Sequence, residues 1–187
     1  MSKGIIIFAQ NNEYVNYAEQ ACACAGYARK NLSLFDEICL ITNAETLESN
    51  ETLINEYFDR VIVSDSFQPD NIRLFKDTVD KLEYASFKNM GRSEVYDLSP
   101  YDETLVIDAD YFIMNDILDQ VWDSENDVMI NCKYRDVSGR HKENIEYLDN
   151  FSIPMYWATV FYFKKSDFAE NLFTLISHIK YNYKYYY

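Results

Sequence analysis

The chain has 187 residues and a mass of 22.1 kDa, which is enough for one domain with a substantial hydrophobic core. Its 31 acidic and 17 basic residues give a formal net charge of −14, the wrong sign for binding phosphate backbones, so the composition argues against nucleic acid as a primary partner. With 48% hydrophobic residues and only 4 Gly and 3 Pro, it also argues against a disordered or collagen-like chain.

The N-terminal apolar run and the cysteines indicate where in the cell the protein is expected. The run IIIFA is too short for a signal-peptide core, and far shorter than the roughly 20 residues of a membrane span. The cysteines form no CxxC pair and have no histidine at zinc-finger spacing, which indicates reduced, structural thiols. We therefore expect a cytoplasmic protein with no membrane span. The four cysteines are Cys22, Cys24, Cys39 and Cys132.

Short β-branched runs alternate with helical patterns along the first two thirds of the chain. This alternation is typical of an α/β fold with a mainly parallel, doubly wound sheet and flanking helices. The predicted strands are Lys3–Ala9, Glu37–Asn43, Arg60–Ser64 and Glu103–Asp108. A first helix is predicted from the helical spacing of Tyr14, Ala18, Ala21, Ala25 and Ala28. Two further helices are predicted near Glu45–Tyr57 and Asp70–Phe87.

The last third is more mixed. Asp127–Cys132 and Ala158–Lys164 have strand patterns, and the charged segment Lys133–Asn150 between them indicates a surface excursion. Ser166 is placed to cap an amphipathic helix that continues to Ile179. The chain then ends in YNYKYYY. We expect either that this tyrosine-rich end packs on a partner, with self-association as one form, or that the chain is shortened relative to a longer relative.

The segment YDETLVIDADYFIMN carries the clearest chemical signal. Asp108 and Asp110 follow a hydrophobic strand, so they emerge at its carboxyl end, where open α/β sheets bind ligands. If the strand stayed extended, both carboxylates would point the same way and could bind one hard divalent cation, with the small Ala109 leaving room beside them. The alternative is that the two aspartates cap a turn or the next helix.

The segment Leu98–Trp122 resembles the metal-binding segment of the retaining family 8, glycogenin-like glycosyltransferases, which have the GT-A fold. The resemblance rests on Leu98 and Tyr101, the D-A-D at residues 108–110, and then Asn115, Asp116, Ile117, Val121 and Trp122. FAQNNEY at residues 8–14 is similar to the loop that holds the nucleotide base in that family. Arg92 stands where the family has a lysine directed towards the donor.

The resemblance implies a metal-dependent glycosyltransferase that moves a sugar from a nucleotide-diphosphate donor, a UDP-sugar, to an unknown acceptor. It implies one domain over residues 1–187, with a nucleotide-sugar-binding half (1–126) and a partial acceptor-side half (127–187). Mn²⁺ or Mg²⁺ would bind Asp110 principally, while Asp108 would contact the ribose and, partly through the cation, the diphosphate. Arg92 would contact donor phosphate or sugar. The other implied donor-binding residues are Ala9, Gln10, Asn11, Tyr14, with its ring stacked on the base, and Ala109.

Each of the weaker assignments has a simpler alternative. Tyr14 is one of 17 tyrosines and would otherwise only begin a helix. Gln10–Asn12 would otherwise be turn residues, and Arg92 a surface cation.

The resemblance also weakens towards the C-terminus. Trp157-Ala158-Thr159 replaces the family's N-S-G, and its later D-Q motif and histidine ligand have no counterpart, since His141 and His178 do not fit that role. Two other functions therefore stay open. One is a phosphoryl- or nucleotidyl-transfer enzyme that uses the D-A-D cation site; the other is a non-catalytic nucleotide-sugar-binding or interaction module derived from a truncated glycosyltransferase.

Overall fold

The computed structural model describes residues 1–64, 72–76, 82–86, 90–132, 156–182 and 185, and of 72–76, 82–86 and 90 it describes the backbone alone. The predicted charged excursion, with His141, lies outside these residues. No helix in the described ranges is long and apolar enough to span a membrane.

A six-stranded sheet forms the centre of the fold, in the order β3-β2-β1-β6-β8-β7. A separate pair, β4 and β5, is antiparallel. The strands are β1 Lys3–Phe8, β2 Glu37–Thr42, β3 Arg60–Val63, β4 Ile72–Lys76, β5 Leu82–Ser86, β6 Glu103–Asp108, β7 Val128–Asn131 and β8 Trp157–Lys164.

Four neighbouring strands, β3, β2, β1 and β6, are parallel, as the sequence pattern predicts. In the register, Phe8 lies opposite Ile41 of β2 on one side and Asp108 of β6 on the other. The carboxyl ends of these strands therefore end at the same level. Because loops that follow parallel strands meet at one edge, the residues after Phe8, Thr42 and Asp108 are brought together.

The two strands predicted in the last third are confirmed, and both run antiparallel to their neighbours. β8 pairs with β6, with Val160 opposite Ile107, and β7 pairs with β8. The start of β8 therefore lies at the edge where β6 ends, which places Ala158 near Asp108.

Helices cover both faces of the sheet, which confirms the doubly wound architecture. They are α1 Tyr17–Asn31, α2 Ala44–Tyr57, α3 Val95–Leu98 and α4 Asp167–Tyr181; 3₁₀ helices span Met90–Glu94 and Ile117–Asp123. Side-chain oxygens of Asn16, Asn43 and Ser166 accept backbone hydrogen bonds at the starts of α1, α2 and α4. These contacts satisfy N–H groups that the first helical turn leaves free.

Each face of the sheet has its own core. Alternate residues of β1 show this division, since Ile5 and Ile7 pack on the side of α1 and α2, while Ile6 and Phe8 pack on the side of α4. On the first side, the buried residues of α1 are all alanine or cysteine, which allows close helix-to-sheet packing. The α4 side is largely aromatic. The aromatic cluster contains Tyr96, Phe161, Phe163 and Phe173, with ring centroids 5.1 to 6.5 Å apart.

The helix predicted over Asp70–Phe87 is wrong. The described residues of this range form β4 and β5, which pair with Ile72 opposite Ser86. Apolar residues recur two positions apart in these segments, Ile72 with Leu74 and Leu82 with Tyr84, and this is the period of a strand. The helical spacing of apolar residues over the longer range therefore gave the wrong prediction. The remaining residues of that prediction lie outside the described ranges.

Asp119 is a buried anchor between the 3₁₀ helix Ile117–Asp123 and the loop after α1. Its carboxylate accepts the backbone N–H of Ser33 at 2.9 Å, the Ser33 hydroxyl at 3.1 Å and the N–H of Leu34 at 3.2 Å. The residue is 8% exposed, so few water molecules could replace these bonds.

Asp119→Ala should lower the free energy of unfolding by about 2 to 3 kcal/mol, because it leaves buried donors without an acceptor. Urea unfolding measures this change. Asp123→Ala, at an exposed position of the same 3₁₀ helix, should stay within about 0.5 kcal/mol of the parent. Equal losses in both variants would contradict an anchoring role for Asp119.

Candidate functional site

The carboxyl edge of the parallel strands gathers the polar residues singled out from the sequence. Ala9–Tyr14 follows β1, Asp108–Asp110 lies at the end of β6, and Arg92 reaches the same edge from the 3₁₀ helix Met90–Glu94. The first residues of the antiparallel strand β8 lie at the same edge. Open α/β sheets bind ligands at this edge, so it is the first place to look for a site.

Arg92 and Asp108 form a largely buried ion pair. Arg92 Nη2 contacts Asp108 Oδ1, and the two side chains are only 21% and 17% exposed. Arg92 Nη1 also donates to the Ala158 carbonyl at 3.1 Å, so the guanidinium joins the end of β6 to the start of β8. The alternative of a surface cation is therefore wrong. Burial lowers the pKa of Arg92, and the nearby Asp110 carboxylate opposes that shift.

Asp110 lies in a turn and not on the strand. β6 ends at Asp108, whose carbonyl accepts the Tyr111 N–H at 3.1 Å. The expectation that an extended strand aligns the two carboxylates is therefore wrong, because the chain leaves the strand between them. The turn is closed by a backbone carbonyl and not by a side chain. Asp110 is exposed, while Ala109 beside it is buried.

Cys24 of α1 lies directly beneath this turn. Its Sγ is 3.7 Å from the Asp108 carbonyl. Burial, with a smaller contribution from the Asp110 charge, raises the pKa of the Cys24 thiol to about 12. The residue is therefore a neutral packing group under the D-A-D turn, in agreement with the prediction of structural thiols.

The loop after β1 is held by asparagines. The Asn11 side chain accepts the Ala18 N–H at 2.9 Å, and the Asn11 N–H donates to Thr46 Oγ1 at 2.9 Å. Asn12 Oδ1 accepts the N–H groups of Tyr14 and Val15, an arrangement typical of an Asx turn. The turn interpretation of these two residues is thus correct. It does not conflict with ligand binding, because these bonds fix the shape of the loop.

Tyr14 and Gln10 differ from the asparagines, since their side-chain polar groups make no hydrogen bonds with other described residues. Tyr14 precedes α1, so it does not begin the helix, and it is 89% exposed. Gln10 Oε1 is buried and makes no hydrogen bond within the described residues. Ala9 is buried, and its N–H donates to Ile41 of β2 at 3.1 Å.

Thr42 was missed by the sequence reasoning. It is the last residue of β2, is fully buried, and its hydroxyl also has no hydrogen-bond partner among the described residues. A polar residue that ends the apolar run EICLIT was the available signal. The Thr42 hydroxyl and Gln10 Oε1 are therefore polar atoms at this edge that are available to a ligand.

The carboxylate oxygens of Asp108 and Asp110 suit a hard divalent cation that is bound by both the protein and the ligand. In the described ranges no cluster of three or more His, Cys, Asp or Glu side chains is placed to hold a metal ion, and His178 in α4 belongs to none. Mg²⁺ and similar ions commonly take one or two carboxylates, with water and substrate phosphates completing the shell. Asp110, exposed, and Asp108, shared with Arg92, match that pattern.

Comparisons with known proteins relate this geometry to one class of fold. No protein-family model matches the chain, and no curated protein matches it. Mouse xyloside xylosyltransferase 1 is similar with a TM-score of 0.56 and 13% identity, over 96% of this chain and 71% of that one. The bifunctional glycosyltransferase WbbM is similar with a TM-score of 0.53 and 15% identity, over 92% and 33%. The galactosyltransferase LgtC, in complex with donor and acceptor sugar analogues, has a TM-score of 0.50 and 16% identity, over 86% and 57%.

These similarities establish the fold as that of the GT-A glycosyltransferases. The chain spans a third of the length of WbbM and just over half of that of LgtC. At such identities the comparison shows the fold alone.

Proposed function

We propose that the chain binds a UDP-sugar together with Mn²⁺ or Mg²⁺ at the carboxyl edge of its sheet, and transfers the sugar to an acceptor in the manner of the family 8 glycosyltransferases. The observation that carries this proposal is the grouping of Asp108 and Asp110 at the end of β6, with the buried Arg92 guanidinium against Asp108. Residues 1–126 would then form the donor-binding half, and residues 127–187 part of the acceptor side.

The charges at this edge suit a metal diphosphate. Two carboxylates and one guanidinium leave a single negative charge, which favours a divalent cation. Asp110, which is exposed, would be the principal ligand, and Asp108 would share its oxygens between the cation, a ribose hydroxyl and Arg92. Arg92 would contact donor phosphate or sugar through its remaining N–H groups, because guanidinium donors match phosphate oxygens well. When bound, the cation would neutralise charge on the departing diphosphate.

The loop after β1 supports binding of a base. Gln10 Oε1 is a buried acceptor that receives no hydrogen bond from the part of the chain that the structure describes, and the ring N–H of uracil is a donor of the required kind. Tyr14 offers an exposed ring for stacking, while Asn11 and Asn12 hold the loop. The side chains of Ala9 and Ala109 are small, which would leave room for the nucleoside at the carboxyl ends of β1 and β6.

The cysteines support the location. Burial is the main cause that raises the pKa of the Cys22 thiol to about 11 and those of Cys24 and Cys39 to about 12. These thiols are protonated and unreactive. All four cysteines are free, which suits a reducing compartment, so we propose that the protein acts in the cytoplasm.

Thermal unfolding in the presence of ligands tests the proposal. UDP and UDP-sugars with Mn²⁺ should raise the melting temperature, by an amount that grows with ligand concentration above the dissociation constant. Uridine with Mn²⁺, and UDP with EDTA, should give much smaller shifts because the diphosphate and the cation bind together. An unchanged melting temperature with every nucleotide sugar would contradict donor binding.

Release of UDP from the bound donor separates catalysis from binding alone. Slow metal-dependent hydrolysis of the UDP-sugar without an acceptor would support the transferase. Binding without any release of UDP, across a panel of sugar and protein acceptors, would instead favour the non-catalytic nucleotide-sugar-binding module.

A further inference from the structure

Helix α4 has two apolar faces, and only one of them packs on the sheet. Ala169, Phe173 and Ile176 contact the aromatic core. A second row, about 100° around the helix, consists of apolar residues spaced by four, three and four positions. This row, the α4 stripe, comprises Phe168, Leu172, Leu175 and Ile179.

The α4 stripe faces outward. Phe168 is 61% exposed and Leu175 is 53% exposed, while Leu172 and Ile179 are partly buried. Single exposed apolar side chains are ordinary, but a continuous row along one helix is typical of a contact surface.

We propose that the α4 stripe binds the same stripe of a second copy of this chain, with the two helices antiparallel about a two-fold axis. The spacing of the stripe is the same in both directions, so Phe168 would lie opposite Ile179 of the second copy and Leu172 opposite its Leu175. Such self-complementarity is the requirement of an isologous dimer. This inference does not depend on the proposed catalytic function.

The polar residues beside the stripe favour a second copy in the antiparallel orientation. Asp167, Asn171 and His178 lie along one side of it, with the acid at the N-terminal end and the imidazole near the C-terminal end. Antiparallel pairing would bring His178 beside Asp167 and Asn171 of the second copy, and would also align the helix dipoles favourably. Parallel pairing would place the two acidic ends together.

The opposite side of the stripe is already occupied by the body of the protein. Ala169 and Ile176 pack on the sheet. Lys180 is held within its own chain by Glu94 at 3.0 Å and by Ser93 at 3.0 Å, so it is committed to the fold. Polar contacts with the second copy would therefore come only from the Asp167 side of the stripe.

The size of the contact predicts a modest affinity. Stable interfaces bury roughly 1,200 to 2,000 Å² in total, and four side chains from each of two helices lie at or below the lower end of that range. We therefore expect a reversible dimer with a dissociation constant in the micromolar range, stable at high protein concentration and dissociating on dilution.

Sedimentation equilibrium over a range from low to several hundred micromolar tests the proposal. The unmodified chain should change from monomer to dimer over this range. Leu175→Glu should remove the dimer, since it buries a charge in the stripe. Glu170→Lys, at an exposed position of α4 away from both the stripe and the Asp167 side, should keep the dimer. A monomer at every concentration, or a dimer that survives in Leu175→Glu, would overturn the proposal.

A charge exchange tests the orientation. Asp167→Lys should weaken the dimer several-fold, and addition of His178→Asp should restore it, because the pair is reversed and the stripe is unchanged. Far-ultraviolet circular dichroism and the melting temperature establish that each variant is folded. Weakening by the double variant beyond that of the single one would contradict the antiparallel arrangement.

Discussion

Asp110→Asn should lower the affinity for UDP in the presence of Mn²⁺ by about 100-fold, which corresponds to roughly 2.7 kcal/mol. Asparagine has nearly the same shape as aspartate, but it removes the negative charge that we assign as the principal ligand of the cation. Asp110 is exposed in a turn closed by backbone atoms, so the melting temperature without ligand should not change. Titration calorimetry with UDP measures the loss.

Two further variants make this result specific. Asp116→Asn, also exposed but beyond the turn, should bind UDP and Mn²⁺ like the parent. Asp108→Asn should weaken binding and also destabilise the free protein, because it leaves the buried Arg92 guanidinium without its counter-charge. Metal-dependent UDP binding of parental strength in Asp110→Asn would remove this residue from the cation site.

Gly4→Ala should lower the free energy of unfolding by about 3 kcal/mol or more, because the added methyl group has no space in the sheet. Gly4 lies in β1, between β2 and β6, and a Cβ there would overlap the ring of Tyr101. That ring cannot move aside freely, since it is 4% exposed and its hydroxyl donates to Glu37 at 3.2 Å. Urea unfolding, or loss of folded protein on expression, measures the effect.

Gly26→Ala is the matched control. Gly26 lies within α1, where an added Cβ would be 3.3 Å from the edge of the Tyr57 ring, and a helical glycine costs about 0.8 to 1.0 kcal/mol relative to alanine. We therefore expect a change of no more than about 1 kcal/mol in this variant. Tyr101→Ala should relieve much of the Gly4→Ala defect, so the double variant should lose less stability than the two single losses added together. Simple additivity would show that the ring is not the source of the strain.

The parallel part of the sheet was predictable because burial on both faces leaves a local signature. Strands such as Ile5–Phe8 and Ile38–Ile41 are continuous apolar runs, and polar cap residues mark where the intervening helices begin. The direction of β8 was not predictable, because an apolar run has the same pattern in a parallel and in an antiparallel strand. The β4 and β5 pair was missed for a related reason, since a charged, weakly periodic segment also matches a helix.

The candidate site was predictable only in part. The placement of Asp108 at a strand end follows from the local pattern, and the structure confirms it. The turn at Asp110 was not foreseen, because the hydrogen bond that closes it uses backbone atoms, which the sequence does not distinguish. The contact of Arg92 with Ala158 joins residues 66 positions apart, and only the fold brings these together.

A crystal structure of the chain with UDP and Mn²⁺, measured at a wavelength where manganese scatters anomalously, would locate both the cation and the nucleotide. We expect one anomalous peak at the carboxyl edge of β6, about 2.1 Å from an Asp110 carboxylate oxygen, with the diphosphate on its other side. We also expect the uracil ring beside Gln10. Manganese bound away from Asp110, or a nucleotide bound at another face of the sheet, would contradict the proposed donor site.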